Sequence, residues 1–469
     1  MKRGASFRFQ PVLTFEKLCI RKQKHSSDLS GIYMLLLIRV LCLSLLLIAV
    51  LCFTGFAQAQ DFTVIVLPDT QNEAEFNPNI LNSQMQWIVA SRSTLNISAV
   101  LGEGDIVNDG AEIAQMQNAD AAYKLLDQAG IPYFAAIGNH DYDGFDPKSG
   151  RTVNGFNQWF GPARYAGKSW YRGNLNGSNE NFYGIVTIGS KQYLILALEY
   201  MPRPAALEWG ESILAANPGM EAIIVTHSYM FVDNTRVDRC DQQDMPPGNA
   251  NGDDMWAVFR KHANVVMVLS GHHIEGQVAR RSDVADNGNL VHQIFTNYQT
   301  SPNGGDGWLR IITFHPSSNT ISVQTYSPFL NQFKTDSTNQ FTLAYHNPYP
   351  SGQGTLSGKV RSTGCSSLAG ITVTAGGVST VTGWDGSYSM QINPGSYTVT
   401  ASGPGWQTSA LTETVSGGFD TDLDFYLTSG DSASPTSATS PPRGGAGLQP
   451  GVPGTRAPAL PGVGKVGWR

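Results

Sequence analysis

The chain has 469 residues, 41% of them hydrophobic and 14% charged, with 31 Lys/Arg against 37 Asp/Glu. That length and apolar content allow more than one buried core and exclude a chain disordered throughout. Past residue 59 the balance is 23 Lys/Arg to 35 Asp/Glu, a net of −12. So acidic a surface argues against general binding to nucleic acid or anionic membrane, while leaving room for a small phosphate held at a metal.

Residues 34–54 are almost continuously apolar, interrupted mainly by Arg39 and Ser44, and Ala57-Gln58-Ala59 follows as a small-x-small peptidase site. Residues 1–59 are therefore predicted to be an N-terminal extension and signal peptide, and the domain to be exported, either secreted or periplasmic. A retained anchor through 34–54 is the alternative. Residues 1–33 exceed what a charged leader segment needs, which leaves Met1 and Met34 as alternative starts. Only Cys240 and Cys365 remain after the leader. They fall in different predicted domains, so a disulfide framework is excluded and a bridge between the two is not expected.

Beyond the leader, 62–67 reads as a buried strand, 79–91 as a helix, 97–101 as a strand, 111–129 as a helix and 132–137 as a strand. This β-α-β-α-β run predicts a parallel sheet with helices on its face. Runs 182–188 and 193–198, joined by Gly189-Ser190, predict a hairpin. A helix at 205–216, a strand at 222–226, a helix at 254–262 and a strand at 265–269 follow. Strands at 291–296, 308–314 and 320–326 then come without intervening helices. The first domain is thus 60–346. Residues 347–354, rich in proline and glycine, are a linker. Residues 355–428 show short alternating strands and no helical period, as in a small β-sandwich. Residues 429–469 are Ser/Pro/Gly-rich and expected to be disordered.

Five polar signals sit just after predicted strands: Asp69-Thr70-Gln71, Gly104-Asp105, Gly138-Asn139-His140-Asp141, Thr226-His227-Ser228 and Gly271-His272-His273. Ligands of open α/β sheets bind outside the carboxyl ends of strands, so these loops should converge. Carboxylate, amide oxygen and imidazole together suit divalent Mn, Fe, Zn or Mg.

In order and spacing these motifs resemble the calcineurin-like metallophosphoesterase family, with Gly-Asn-His-Asp the most specific piece. The resemblance implies an α/β/β/α sandwich of mixed sheets and a metal-dependent hydrolase acting on small phosphomonoesters or phosphodiesters through a metal-bound water. It also implies roles for individual residues: Asp105 bridging two metals, Asp69 on the first, and Asn139, His227 and His272 on the second. His140, aligned by Asp141, is implied to donate a proton or stabilise phosphoryl charge. Two departures fall on the first metal. Gln71 stands where the family commonly has histidine, and Ile274 where the last histidine of Gly-His-x-His would be. Gln71 still offers an amide oxygen, so the site is expected to be asymmetric. The alternative is a degenerate binding protein with little or no turnover.

Glu103 shares strand spacing with Asp105 and is expected beside the ligands rather than among them. His262, His315 and His346 read as surface or packing residues, and His292 as a remote candidate for the depleted position. Residues 355–427, with Gly383-Trp384-Asp385-Gly386 and Asn393-Pro394-Gly395-Ser396-Tyr397, resemble the carboxypeptidase regulatory-like family. A spacer or stabilising module is implied; attachment to a surface or glycan through Trp384 or Trp406 is the alternative.

Overall fold

The computed structural model describes residues 33–34, 36–41, 60–144, 151–240, 248–346 and 352–430. The expected cleavage site, nearly all of the leader, most of the 347–354 linker and nearly all of the tail lie outside them. Among the described residues no helix is long and apolar enough to cross a membrane.

Strand β1 (Phe62–Leu67) leads through helices α1 (Gln71–Phe76) and α2 (Pro78–Ser91) to β2 (Ile97–Gly102), then through α3 (Ile113–Ala129) to β3 (Tyr133–Ala135). Helices α4 (Asn154–Phe160) and α5 (Pro162–Tyr165) precede β4 (Tyr171–Leu175), β5 (Ser178–Ile188) and β6 (Lys191–Ala197). Then come α6 (Pro204–Ala216), β7 (Glu221–Val225), α7 (Gly252–Phe259), β8 (Val265–Ser270), β9 (Val278–Val284) and β10 (Leu290–Thr296). Strands β11 (Leu309–His315), β12 (Thr320–Ser327), β13 (Gln332–Lys334) and β14 (Phe341–Ala344) close the domain.

The predicted parallel run is present, with β1 beside β2 and β2 beside β3, both parallel. It is only part of a mixed seven-stranded sheet in which β11 pairs antiparallel with the other edge of β1. A second seven-stranded sheet has the order β4-β5-β6-β7-β8-β10-β9, with β5 and β6 forming the expected hairpin and β6, β7, β8 and β10 parallel. Side-chain alternation explains why two sheets stack. In β6, Tyr193, Ile195 and Ala197 join the core shared with Phe62 and Ile65 of the first sheet. Leu194 and Leu196 point the other way, onto Leu207 and Leu214 of α6 and Met255 and Phe259 of α7. The outer face of the first sheet is closed by Leu81, Met85 and Ile88 of α2 and by Met116 and Tyr123 of α3. The layers are therefore helix, sheet, sheet, helix. Strands covered on both faces read as unbroken apolar runs, which is why 62–67 and 265–269 stood out.

Strands β15 (Gly354–Ser362), β16 (Thr372–Ala375), β17 (Val378–Val381), β18 (Ser387–Ile392), β19 (Gly395–Ser402), β20 (Ser409–Val415), β21 (Asp420–Asp422) and β22 (Phe425–Leu427) form two four-stranded sheets. They pack around Leu356, Val373, Ile392, Val399 and Phe425. Trp384 is 89% exposed in the turn after β17.

The expectation that the two cysteines stay apart is overturned: Cys240 and Cys365 are disulfide-bonded, with Cα atoms 5.3 Å apart. The sandwich docks on the loop that follows His227, and charge pairs explain how. Arg260 grips both oxygens of Glu413 at 2.8 and 2.6 Å. Arg361 pairs with Asp238. Buried Arg236 holds Asp253 and Asp283 and reaches Asp422 at 3.5 Å. Composition in each domain alone carries no trace of such cross-domain pairing.

The bridge closes a span of 125 residues, and cross-linking so long a segment restricts the unfolded chain strongly. Cys365→Ser is expected to lower stability by about 2–4 kcal/mol, read as an earlier denaturation midpoint. The sandwich should stay docked through Arg236, Arg260 and Arg361. An unchanged midpoint would mean that the bond contributes nothing.

Candidate metal centre

Asp69 follows β1, Asp105 follows β2, and Asn139 and His140 follow β3, while His227 and His272 follow β7 and β8. All five strand ends meet. The Thr70 N–H donates to the Asp105 carbonyl at 3.0 Å and the Gly271 N–H to the His227 carbonyl at 2.9 Å. Across the two sheets, the His272 N–H donates to Asp69 Oδ2 at 3.2 Å.

The glycines before Asp105, Asn139 and His272 have a steric reason. A Cβ at Gly138 would overlap Asp105 Oδ1, and one at Gly271 would overlap Asp69 Oδ1. Gly104, at φ +100°, lies against the His227 ring. Asp105 (φ 47°) and His272 (φ 81°) are themselves left-handed, a conformation that costs a non-glycine residue free energy and recurs where a side chain must be aimed.

Three ligand atoms converge on His227 Nε2. Asn139 Oδ1 lies at 3.0 Å, Asp105 Oδ2 at 3.2 Å and His272 Nδ1 at 3.2 Å. The Nδ1 of His227 meets the Glu103 carbonyl at 2.8 Å. A carbonyl can only accept, so Nδ1 carries a proton and Nε2, a lone-pair donor whenever the ring is neutral, is the nitrogen turned toward the other three. One proton cannot satisfy so many acceptors, whereas a divalent cation satisfies all of them. The set of two imidazole nitrogens, one carboxylate oxygen and one amide oxygen fits a borderline metal.

The electrostatics agree. Burial pushes the Asp69 carboxyl up to about 8 against the pull of His227, with Asp105 adding to the rise. Burial would also raise Asp105, but His227 and His140 hold it below the ordinary carboxylate range. Burial would lower His227, but Asp105 and Asp69 bring it up to about 9. Burial and the neighbouring His227 hold His272 well below the usual imidazole range. Without a cation, this buried acidic pair draws a proton onto His227.

Asp69 accepts from Asn297 Nδ2 at 2.8 Å as well as from the His272 backbone. Gln71 is buried, and its Oε1 has no hydrogen-bond partner. An orphaned buried acceptor beside the Asp69 loop fits an oxygen-ligated cation.

His140 donates its backbone N–H to Asp105 Oδ1 at 2.9 Å, and its Nδ1 meets the Asn108 carbonyl at 2.8 Å. Asp141, expected to align His140, has backbone partners in this structure. The fully buried Asp141 carboxylate accepts from the Gly138 N–H at 2.8 Å and the Val107 N–H at 3.1 Å, so it staples the Asp105 and Asn139 loops together. The Asn108 carbonyl holds the His140 ring at Nδ1.

Glu103 is buried beside the ligands and contributes its carbonyl to His227. His273 stacks on Phe231 at 4.1 Å instead of joining the cluster, and Ile274 is 54% exposed. His292 is not brought to the centre: its Nδ1 meets Ser282 Oγ and its Nε2 the Ala344 carbonyl, each at 2.7 Å. Asn297 and Asn108 were missed. Asn297 immediately follows β10, so the strand-end rule that selected the others would have found it.

Residues 62–276 match the calcineurin-like phosphoesterase family, and residues 355–428 the carboxypeptidase regulatory-like domain. The uncharacterized protein YvnB of Bacillus subtilis (strain 168) is 32% identical over 283 residues, covering 59% of this chain. The match spans 21% of that relative's own length. Among solved structures, the purple acid phosphatase PPD1 from yellow lupin (Lupinus luteus) seeds has a TM-score of 0.41 at 16% identity, over 61% of this chain and 54% of that one. TT1561 of Thermus thermophilus has a TM-score of 0.32 at 10% identity, over 61% of this chain and 100% of that one.

Proposed function

We propose that this chain, which joins a calcineurin-like phosphoesterase domain to a carboxypeptidase regulatory-like domain, is an exported hydrolase of phosphomonoesters or phosphodiesters with two unequal metal positions. The observation that carries the reading is the convergence of Asp105 Oδ2, Asn139 Oδ1 and His272 Nδ1 on His227 Nε2, with His140 fixed alongside. When bound, divalent ions supply Lewis acidity to a phosphoryl oxygen and lower the pKa of water toward about 7. Asn139, His227, His272 and Asp105 would hold one ion; Asp69, Gln71 and Asp105 would hold the other. The remaining chemistry belongs to the protein. His140, anchored at Nδ1, delivers a proton to the leaving oxygen or neutralises charge on the phosphoryl group. Export is supported by the apolar segment before Ala57-Gln58-Ala59 and by the Cys240–Cys365 bond, since disulfides persist in oxidising compartments.

The test is hydrolysis of aryl phosphomonoesters and phosphodiesters by the metal-stripped full chain on adding Mn, Zn, Fe or Mg. Absence of turnover in every ion, with metal demonstrably bound, would favour the binding-protein alternative, which the exposed Ile274 in place of a ligand supports. A second measurement addresses the asymmetry. Gln71→His, supplying the imidazole that the family commonly has, is expected to increase the Zn retained per chain after dialysis. Unchanged metal content would remove residue 71 from the ligand set.

A further inference from the structure

Gln71 is a symmetric-looking amide, and which end faces the first metal position decides whether that position attracts or repels a cation. We infer that Glu75 and Asn108 form a hydrogen-bond relay that turns the oxygen of Gln71, rather than its nitrogen, toward the metal, making the first position an oxygen-only site for a hard divalent ion. This deepens the two-metal reading above and rests on it.

The polarity of the relay follows from its first member. A carboxylate can only accept. Asn108 Nδ2 donates to Glu75 Oε2 at 2.8 Å, which fixes the amide of Asn108 with its NH2 toward Glu75. The Oδ1 of Asn108 therefore faces Gln71 and accepts from its Nε2 at 3.2 Å. Gln71 is fixed in turn, and its Oε1 is left buried and unpartnered. Reversing either amide would set oxygen against oxygen at one of these contacts. The backbone of Asn108 is immobilised too, its N–H on Gln115 Oε1 at 2.8 Å and its carbonyl on His140 Nδ1.

The consequence is a difference in ligand chemistry. Asp69, Gln71 and Asp105 offer only oxygen, the preference of Mg and Mn, while the other position carries two imidazoles and suits Zn or Fe. Glu75 touches neither metal position in this scheme and acts through Asn108 as a positioning residue.

The experiment is titration of Mn2+ into the metal-stripped full chain, followed by calorimetry and by electron paramagnetic resonance, in wild type, Glu75→Ala, Glu75→Gln and Glu75→Ala/Gln71→Glu. Two Mn2+ are expected in wild type. Glu75→Ala should weaken the first position by about 10- to 100-fold and leave the second within about twofold. Glu75→Gln removes the charge but keeps an acceptor, so it should stay near wild type. Gln71→Glu presents an oxygen whichever way it turns, so it should restore binding in the Glu75→Ala background. One Mn2+ in wild type, equal losses in the Ala and Gln variants, an unchanged first position in Glu75→Ala, equal weakening of both positions, or no restoration by Gln71→Glu would each overturn the relay. Two Mn2+ bound with the expected variant pattern but no phosphoester turnover would instead sink the hydrolase reading and leave the relay standing.

Discussion

Asp105→Asn is expected to lower kcat/KM on an aryl phosphate by more than about 1000-fold, on the order of 4 kcal/mol of transition-state stabilisation, and to strip the protein of both metals. In the proposed two-metal reading this carboxylate would serve both positions. Oδ1 accepts the His140 N–H at 2.9 Å, and Oδ2 faces His227 Nε2 at 3.2 Å. Asparagine has the same shape and can keep its oxygen on His140, which preserves the loop at φ 47°. Its NH2 must then face His227, placing a donor where a cation should sit. The variant should fold, remain monodisperse and bind little metal, which separates a lost site from a lost fold. Elemental analysis beside a thermal melt checks both. Activity within about tenfold of wild type, with full metal content, would remove Asp105 from the centre.

The strands that build the centre were legible because each is buried on both faces and leads into a polar residue. Phe62–Leu67 has no exposed position, and Asp69 comes just after it. The glycines were legible as punctuation, although their reason, room for the Asp105, Asp69 and His227 side chains, is three-dimensional. What stayed hidden has a common cause. Strand β9, VARRSDV, shows no apolar alternation because buried Asp283 and partly buried Arg281 pair with each other and with partners from both domains. Residues 71–76 gave no helical signal because a six-residue polar helix carries too few apolar positions to show a period. The part expected of Asp141 came from its adjacency to His140 in sequence, whereas the contacts of its carboxylate are with the Gly138 N–H of its own loop and the Val107 N–H of the Asp105 loop. Asn108 offered no motif of its own. Its importance comes from contacts with Glu75 and Gln71, 33 and 37 residues away.

His140→Ala should separate the two chemical roles open to that residue. Its Nδ1 is anchored on the Asn108 carbonyl at 2.8 Å, so Nε2 is the ring nitrogen able to deliver a proton. Proton delivery matters in proportion to the basicity of the leaving oxygen. An alkyl phosphoester expels a strongly basic alkoxide and should lose about 100- to 10,000-fold in kcat. A nitrophenyl ester leaves as a weakly basic anion that needs no proton and should lose less than about tenfold. Metal content should not change, because the ring lies outside the cluster of Asp105, His227 and His272. Equal losses on both substrates would reject proton donation and leave His140 as a positive charge on the phosphoryl oxygens, an interaction insensitive to which group departs.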